Sequence, residues 1–155
     1  MTPLTWKYVI ICSVGIACAF LGTVLLYFAA RHAGAGSAAL DFDTLRAHAA
    51  HLDPAVTRLA GGLLLIGYGP KAGLVPFHTW LADAHSQAPA PVSALMSGVL
   101  LAVEFSELLR VKTVIDVALG TGFLRAGLLI VGLLTVLIAA SLLVAQRDVK
   151  RKLAY

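Results

Sequence analysis

The sequence predicts an all-α integral membrane protein with about four transmembrane helices, the second broken near Lys71–Pro76. Three observations predict it. The 155 residues are 59% hydrophobic and only 13% charged, about half the charge of a soluble domain, which carries roughly 25%. Apolar runs approaching the ~20 residues needed to cross a bilayer recur along the chain. The stretch from Leu63 to Leu101 carries Lys71 among Pro70, Pro76, Pro89 and Pro91 within otherwise apolar sequence. A soluble core has little use for that lysine, and an unbroken membrane helix has little use for those prolines.

The formal net charge of +4, from 12 basic and 8 acidic residues, is weak as a nucleic-acid footprint, and no nucleic-acid partner is expected. Lipid is. Cys12 and Cys18 fall inside the first apolar run, six positions apart and on different helix faces. They read as small buried hydrophobes, not as metal ligands or a disulfide framework.

The first span is placed at about 9–30. It is too long for a secretory signal core, so a retained helix is expected. Gly15, Ala17, Cys18, Ala19 and Gly22 would let a second helix approach closely. Trp6, Tyr8 and Tyr27 mark its interfaces, and Arg31 and His32 end it. Residues 32–58 form the one long polar stretch and read as a flexible, solvated loop with a short surface helix capped near Asp43 or Thr44. His48 and His51 lie i, i+3, but no further ligand completes a metal site there. Asp53-Pro54 opens the next element.

The second span is placed at about 56–82. Only 12 uncharged residues separate Arg58 from Lys71, so a crossing must include the lysine and the Gly- and Pro-rich segment after it. The third, about 91–110, starts on Pro91 and is apolar up to Glu104. Glu107 and Arg110 are spaced to pair. The fourth, about 123–145, has Arg125 near its start, where it can snorkel. Arg147, Lys150, Arg151 and Lys152 follow it. The positive-inside rule places that end in the cytoplasm, and four crossings return the N-terminus to the same side. Residues 32–58 and the Glu104–Asp116 region then lie outside.

Five residues are candidates for moving protons. Lys71 would cost roughly 3 kcal/mol at mid-membrane unless paired or snorkelling, and it reads either as a proton-exchanging group or as an anchor. His78 can relay a proton or cap a turn. Glu104 lies either near the outer interface, paired with Arg110, or inside the membrane as a proton-binding carboxylate facing another helix. Asp83 and His85, in ADAH, form an acid–imidazole pair that either stabilises a turn or gives access to Lys71. Trp80 is expected to pack at the interface. No phosphate loop, CxxC set or HExxH is present, so no cofactor or metal site is expected on this chain.

The segment GYGPKAGLVPFHTWLADAHSQAPAPVSAL closely resembles the proton-translocating membrane subunits shared by NADH:quinone oxidoreductase (complex I), membrane-bound nickel–iron hydrogenases and Mrp-type cation antiporters. WKYVIICSVGIACAFLGTVLLYFAA and HSQAPAPVSALMSGVLL look most like the hydrogenase-4 or formate-hydrogenlyase branch. QRDVKRKLAY resembles the family's basic loop.

The resemblance implies part of an antiporter-like subunit built from inverted repeats of about fourteen helices in all, with residues 1–155 falling on the sixth to ninth. It implies that Lys71 is the central proton carrier of a broken seventh helix. The glutamate that pairs with that lysine normally lies in the fifth helix, which these residues lack. Where relatives carry a lysine or histidine in the third span, this chain has Ala102 or Ser97.

The implied function is that of a membrane subunit, present as a fragment, in proton or cation translocation coupled to a hydrogenase or NADH:quinone oxidoreductase complex of the cell inner membrane. Its partners would be the other membrane subunits, including a chain supplying the missing helices. A component of a stand-alone Mrp-type antiporter and a non-transporting structural module or remnant are the alternatives.

Overall fold

A computed structural model describes residues 3–147, excepting the side chains of residues 3–5. The described residues are helical between turns, with no strand. Three stretches are long and apolar enough to cross a membrane: Trp6–Ala38, Ala90–Leu119 and Gly122–Ala145. The basic tail beyond Arg147, with Lys150, Arg151 and Lys152, lies outside the described residues.

Helix α1 (Pro3–Ala30) is followed by a π turn (Arg31–Ala35) and a 3-10 turn (Gly36–Ala38). The short helix α2 (Phe42–Ala47) is capped by Asp41, whose carboxylate accepts from Thr44 N–H at 3.2 Å. The cap is therefore not Asp43 or Thr44. Asp41 has the extended backbone an N-cap needs, and Asp43 already sits in the first turn.

Residues 32–58 are mostly exposed around that short helix, but they also carry part of the core. Ala35, Ala39, Ala49 and Leu52 are buried with Ala29, Ala30 and Val114, so the segment packs across the ends of the long helices. Alanines bury too little area each to announce a core in sequence.

Helix α3 (Pro54–Tyr68) starts as Asp53-Pro54 predicts, with the Asp53 carboxylate accepting from Val56 N–H at 2.9 Å. It runs antiparallel to α1 at very short range. A Cβ on Gly67 would lie 2.5 Å from the Ala19 backbone nitrogen, and one on Gly22 2.7 Å from Leu64. Neither α3 residue 67 nor α1 residue 22 can carry a side chain at this separation, which is how small residues bring membrane helices together.

At 1.5 Å per residue the 15 residues of α3 rise about 22 Å, short of the ~30 Å hydrocarbon core. The remainder comes from the turns of residues 69–78 and helix α4 (Thr79–Gln87). Contacts along α1 show the continuity. Leu26 packs with Ala60 and Leu64, and Gly15 meets Gly67 and Pro70. Further along, Tyr8 meets the Trp80 ring edge-on at 5.2 Å, and Lys7 pairs with Asp83 at 3.5 Å. From Leu26 to Lys7, α1 rises about 28 Å, so the broken element follows it through a membrane's thickness.

Helix α5 (Ala90–Leu95), a π turn (Met96–Leu100) and helix α6 (Leu101–Leu119) make one stretch. It extends past the expected end at 110 because its charges find partners along the helix. Glu107 pairs with Arg110 at 3.6 Å, and Lys112 donates to Asp116. Gly120, at φ 79°, ends the helix in a conformation suited to glycine. Helix α7 (Gly122–Ala145) completes the described bundle.

Candidate functional site

The break after Tyr68 follows from its residues. Pro70 and Pro76 lack N–H groups, so neither can continue a helical ladder. Gly73 has φ +74° and lies against Leu81, where a Cβ would come within 2.9 Å of that side chain. The Val75–Pro76 bond is cis.

In lipid, the backbone groups released by such a break must find partners inside the protein. Some are local: Ala72 N–H donates to Tyr68 at 2.9 Å, Leu74 N–H to Gly69 at 2.9 Å and Phe77 N–H to Leu74 at 3.0 Å. Two come from distant side chains. Trp80 Nε1–H donates to the Pro70 carbonyl at 2.7 Å, and Thr135 Oγ1 on α7 accepts from Val75 N–H at 3.1 Å while donating to Val131.

Trp80 is fully buried within the bundle. Its indole N–H is used on the break itself, with Tyr8 packed against the ring.

Lys71 stands in this break with its side chain 30% exposed. Its Nζ lies 3.3 Å from Glu104 Oε1, and the Glu104 side chain is 13% exposed. Glu104 faces Lys71, while Arg110 takes Glu107. A carboxylate of α6 thus lies beside the lysine. Both groups line a pocket of about 230 Å³ with Thr23 and Tyr68 between the α1 side chains Ile16 and Phe20 and the α3 residue Gly67.

The other candidates lie further along the element. His78 occupies the N-cap position of α4, half-buried, without a capping bond from its side chain. The Asp83 carboxylate meets Lys7, and buried His85 meets Ser93 Oγ through Nδ1 at 2.5 Å. That last contact ties α4 to α5 across the Pro89 turn.

Sequence reasoning missed two features. Thr135 is one hydroxyl within an apolar run, and its isolation is the only signal it gives. Lys112 and Asp116 are spaced i, i+4, which is visible in sequence, and both are largely covered by neighbours.

Residues 5–155 match the family described as NADH:quinone oxidoreductase/Mrp antiporter, TM. The chain belongs to that family.

Among curated relatives of this antiporter-family chain, the Hydrogenase-4 component F homolog of Methylacidiphilum infernorum is 44% identical over 154 residues, covering 97% of this chain and 32% of the relative. Hydrogenase-4 component B of Escherichia coli is 36% identical over 140 residues, covering 88% of this chain and 20% of the relative. NAD(P)H-quinone oxidoreductase chain 4 of Prochlorococcus marinus is 42% identical over 97 residues, covering 63% and 17%. The chain therefore spans about a third or less of these relatives. No solved structure matches it.

Proposed function

We propose that this antiporter-family chain takes part in proton or cation translocation within a hydrogenase or NADH:quinone oxidoreductase complex, contributing one broken-helix module to a larger membrane assembly. The observation that carries this reading is Lys71, held within the bundle on a helix break and opening on a pocket of about 230 Å³. A cation held at such depth is costly, and intramembrane ionisable groups mark ion pathways. The names of the relatives, hydrogenase-4 components and a quinone oxidoreductase chain, support the type of complex.

In this reading the chain carries no redox centre or cofactor, and electron transfer belongs to other subunits. The outward surfaces of α1 and α7, which expose Val14, Val136 and Leu137, meet lipid and the membrane helices of partner chains. The chain lies multi-pass in the inner membrane with both termini cytoplasmic, consistent with the basic residues from Arg147 onward.

The test is Lys71→Ala in the assembled complex, with proton uptake measured in inverted membrane vesicles. Transfer falls to background while complex assembly is retained. Normal coupled transfer by that variant would refute the reading.

A further inference from the structure

We propose that Glu104 is the proton-exchange partner of Lys71, so that the two side chains form one site shared between α3–α4 and α6. The inference rests on the translocation reading above and assigns its second titrating group. Lys71 Nζ and Glu104 Oε1 are 3.3 Å apart across 33 positions of sequence, so tertiary structure alone brings them together.

Two features of α6 aim Glu104. Glu104, Leu108, Val111 and Ile115 recur at i, i+4, i+7 and i+11 and share one helix face. Leu108 and Ile115 are fully buried, Val111 packs on the cluster of Leu26, Ala60 and Leu64, and Ile115 lies against Gly61. That face therefore meets α3. Upstream, the π turn makes Leu101 N–H donate to Met96, inserting one residue relative to an α-helix. Without that residue, everything after it would turn by about 100° relative to α5, so the π turn sets the direction of the whole Glu104 face against the segment before it.

The chemistry balances without an oxidant or reductant. In the resting pair, Lys71 is an ammonium and Glu104 a carboxylate, and the site is neutral. Breaking one Nζ–H bond and forming an Oε1–H bond gives an amine and a carboxylic acid, with the N–H electron pair left on nitrogen. Net charge is unchanged. A proton arriving from the pocket side instead protonates Glu104 while Lys71 keeps its charge. The site then carries +1 until Lys71 releases a proton onward. The pocket has room for water, and Thr23 and Tyr68 line it with the pair.

The experiment compares Lys71→Ala, Glu104→Gln and Glu104→Asp in the assembled complex, reading proton uptake in vesicles and the protonated-carboxyl band by infrared difference spectroscopy during turnover. Lys71→Ala and Glu104→Gln both drop to background. The carboxyl band seen with the unsubstituted complex disappears in Glu104→Gln.

Glu104→Gln transferring protons at the normal rate while Lys71→Ala is inactive overturns the role of Glu104 and leaves the translocation reading standing. Normal transfer by Lys71→Ala overturns both. If Glu104→Gln does not accumulate, Glu104→Asp decides. It keeps the charge with one methylene less reach, so slowed transfer in an assembled complex supports the pairing and an unchanged rate overturns it.

Discussion

Helix α7 and the broken element of α3, residues 69–78 and α4 are made from opposite materials. Over its 24 residues α7 satisfies its backbone from within, and Leu124 is its one buried residue. The α3–α4 element does neither. Its backbone turns through two prolines and a positive-φ glycine, and it borrows hydrogen bonds from Trp80 and from α7 through Thr135. A regular helix can face lipid because it needs nothing from its neighbours, whereas a broken one binds its neighbours to itself. The same break sets Lys71 beside Glu104 of α6.

The largest effect that would break this contrast is steric. Gly67→Val pushes a side chain into the Ala19 backbone and is expected to cost about 3 kcal/mol, read as lost accumulation or a lowered melting temperature in detergent. Thr135→Val removes the acceptor for Val75 N–H and leaves it buried and unpaired, costing about 1–3 kcal/mol. Thr135→Ser, which keeps the hydroxyl, recovers most of it. A matching loss in both variants would show that packing and not the hydrogen bond matters.

Trp80→Phe removes the shorter of two hydrogen bonds to the Pro70 carbonyl and leaves the one from Gly73 N–H at 3.3 Å, at about 1 kcal/mol, with thermal unfolding followed by circular dichroism. Lys7→Ala opens only the contact with Asp83 at the end of α1, and an exposed pair is worth at most about 1 kcal/mol. Smallest is Leu137→Ala on the outward surface of α7, within about 0.5 kcal/mol of the parent. A large loss there would mean that α7 is buried in the assembly and would end its role as the self-sufficient half of the comparison.

Much of the architecture was legible because it depends on composition and on backbone chemistry. Runs without charge gave α1 and α7, and the spacing of Pro70, Gly73 and Pro76 located the break around Lys71. Features created by packing were less so. Nothing in the pattern around Trp80 tells that its N–H is used on a carbonyl ten residues back. The 32–58 segment looked solvated because its buried residues are mostly alanines. Glu104 stayed ambiguous because its partner lies 33 positions away, although the face it shares with Leu108, Val111 and Ile115 pointed inward. Thr135 offered no pattern at all, since one hydroxyl in an apolar run can also satisfy itself on its own helix.

The contact of Gly67 with Ala19 also bears on mechanics. Sliding α3 along α1 by one turn, about 5.4 Å, would bring Leu63, Leu64 or Lys71 to the place where Gly67 fits without a Cβ. A side chain there would meet the Ala19 backbone, so such a shift of α3 along α1 is sterically opposed. Compliance is left to the joint at residues 69–78, where backbone torsion and not translation can change the reach of Lys71. Bending at residues 69–78 beside a fixed strut is therefore the freer motion, and shear between α1 and α3 is sterically opposed.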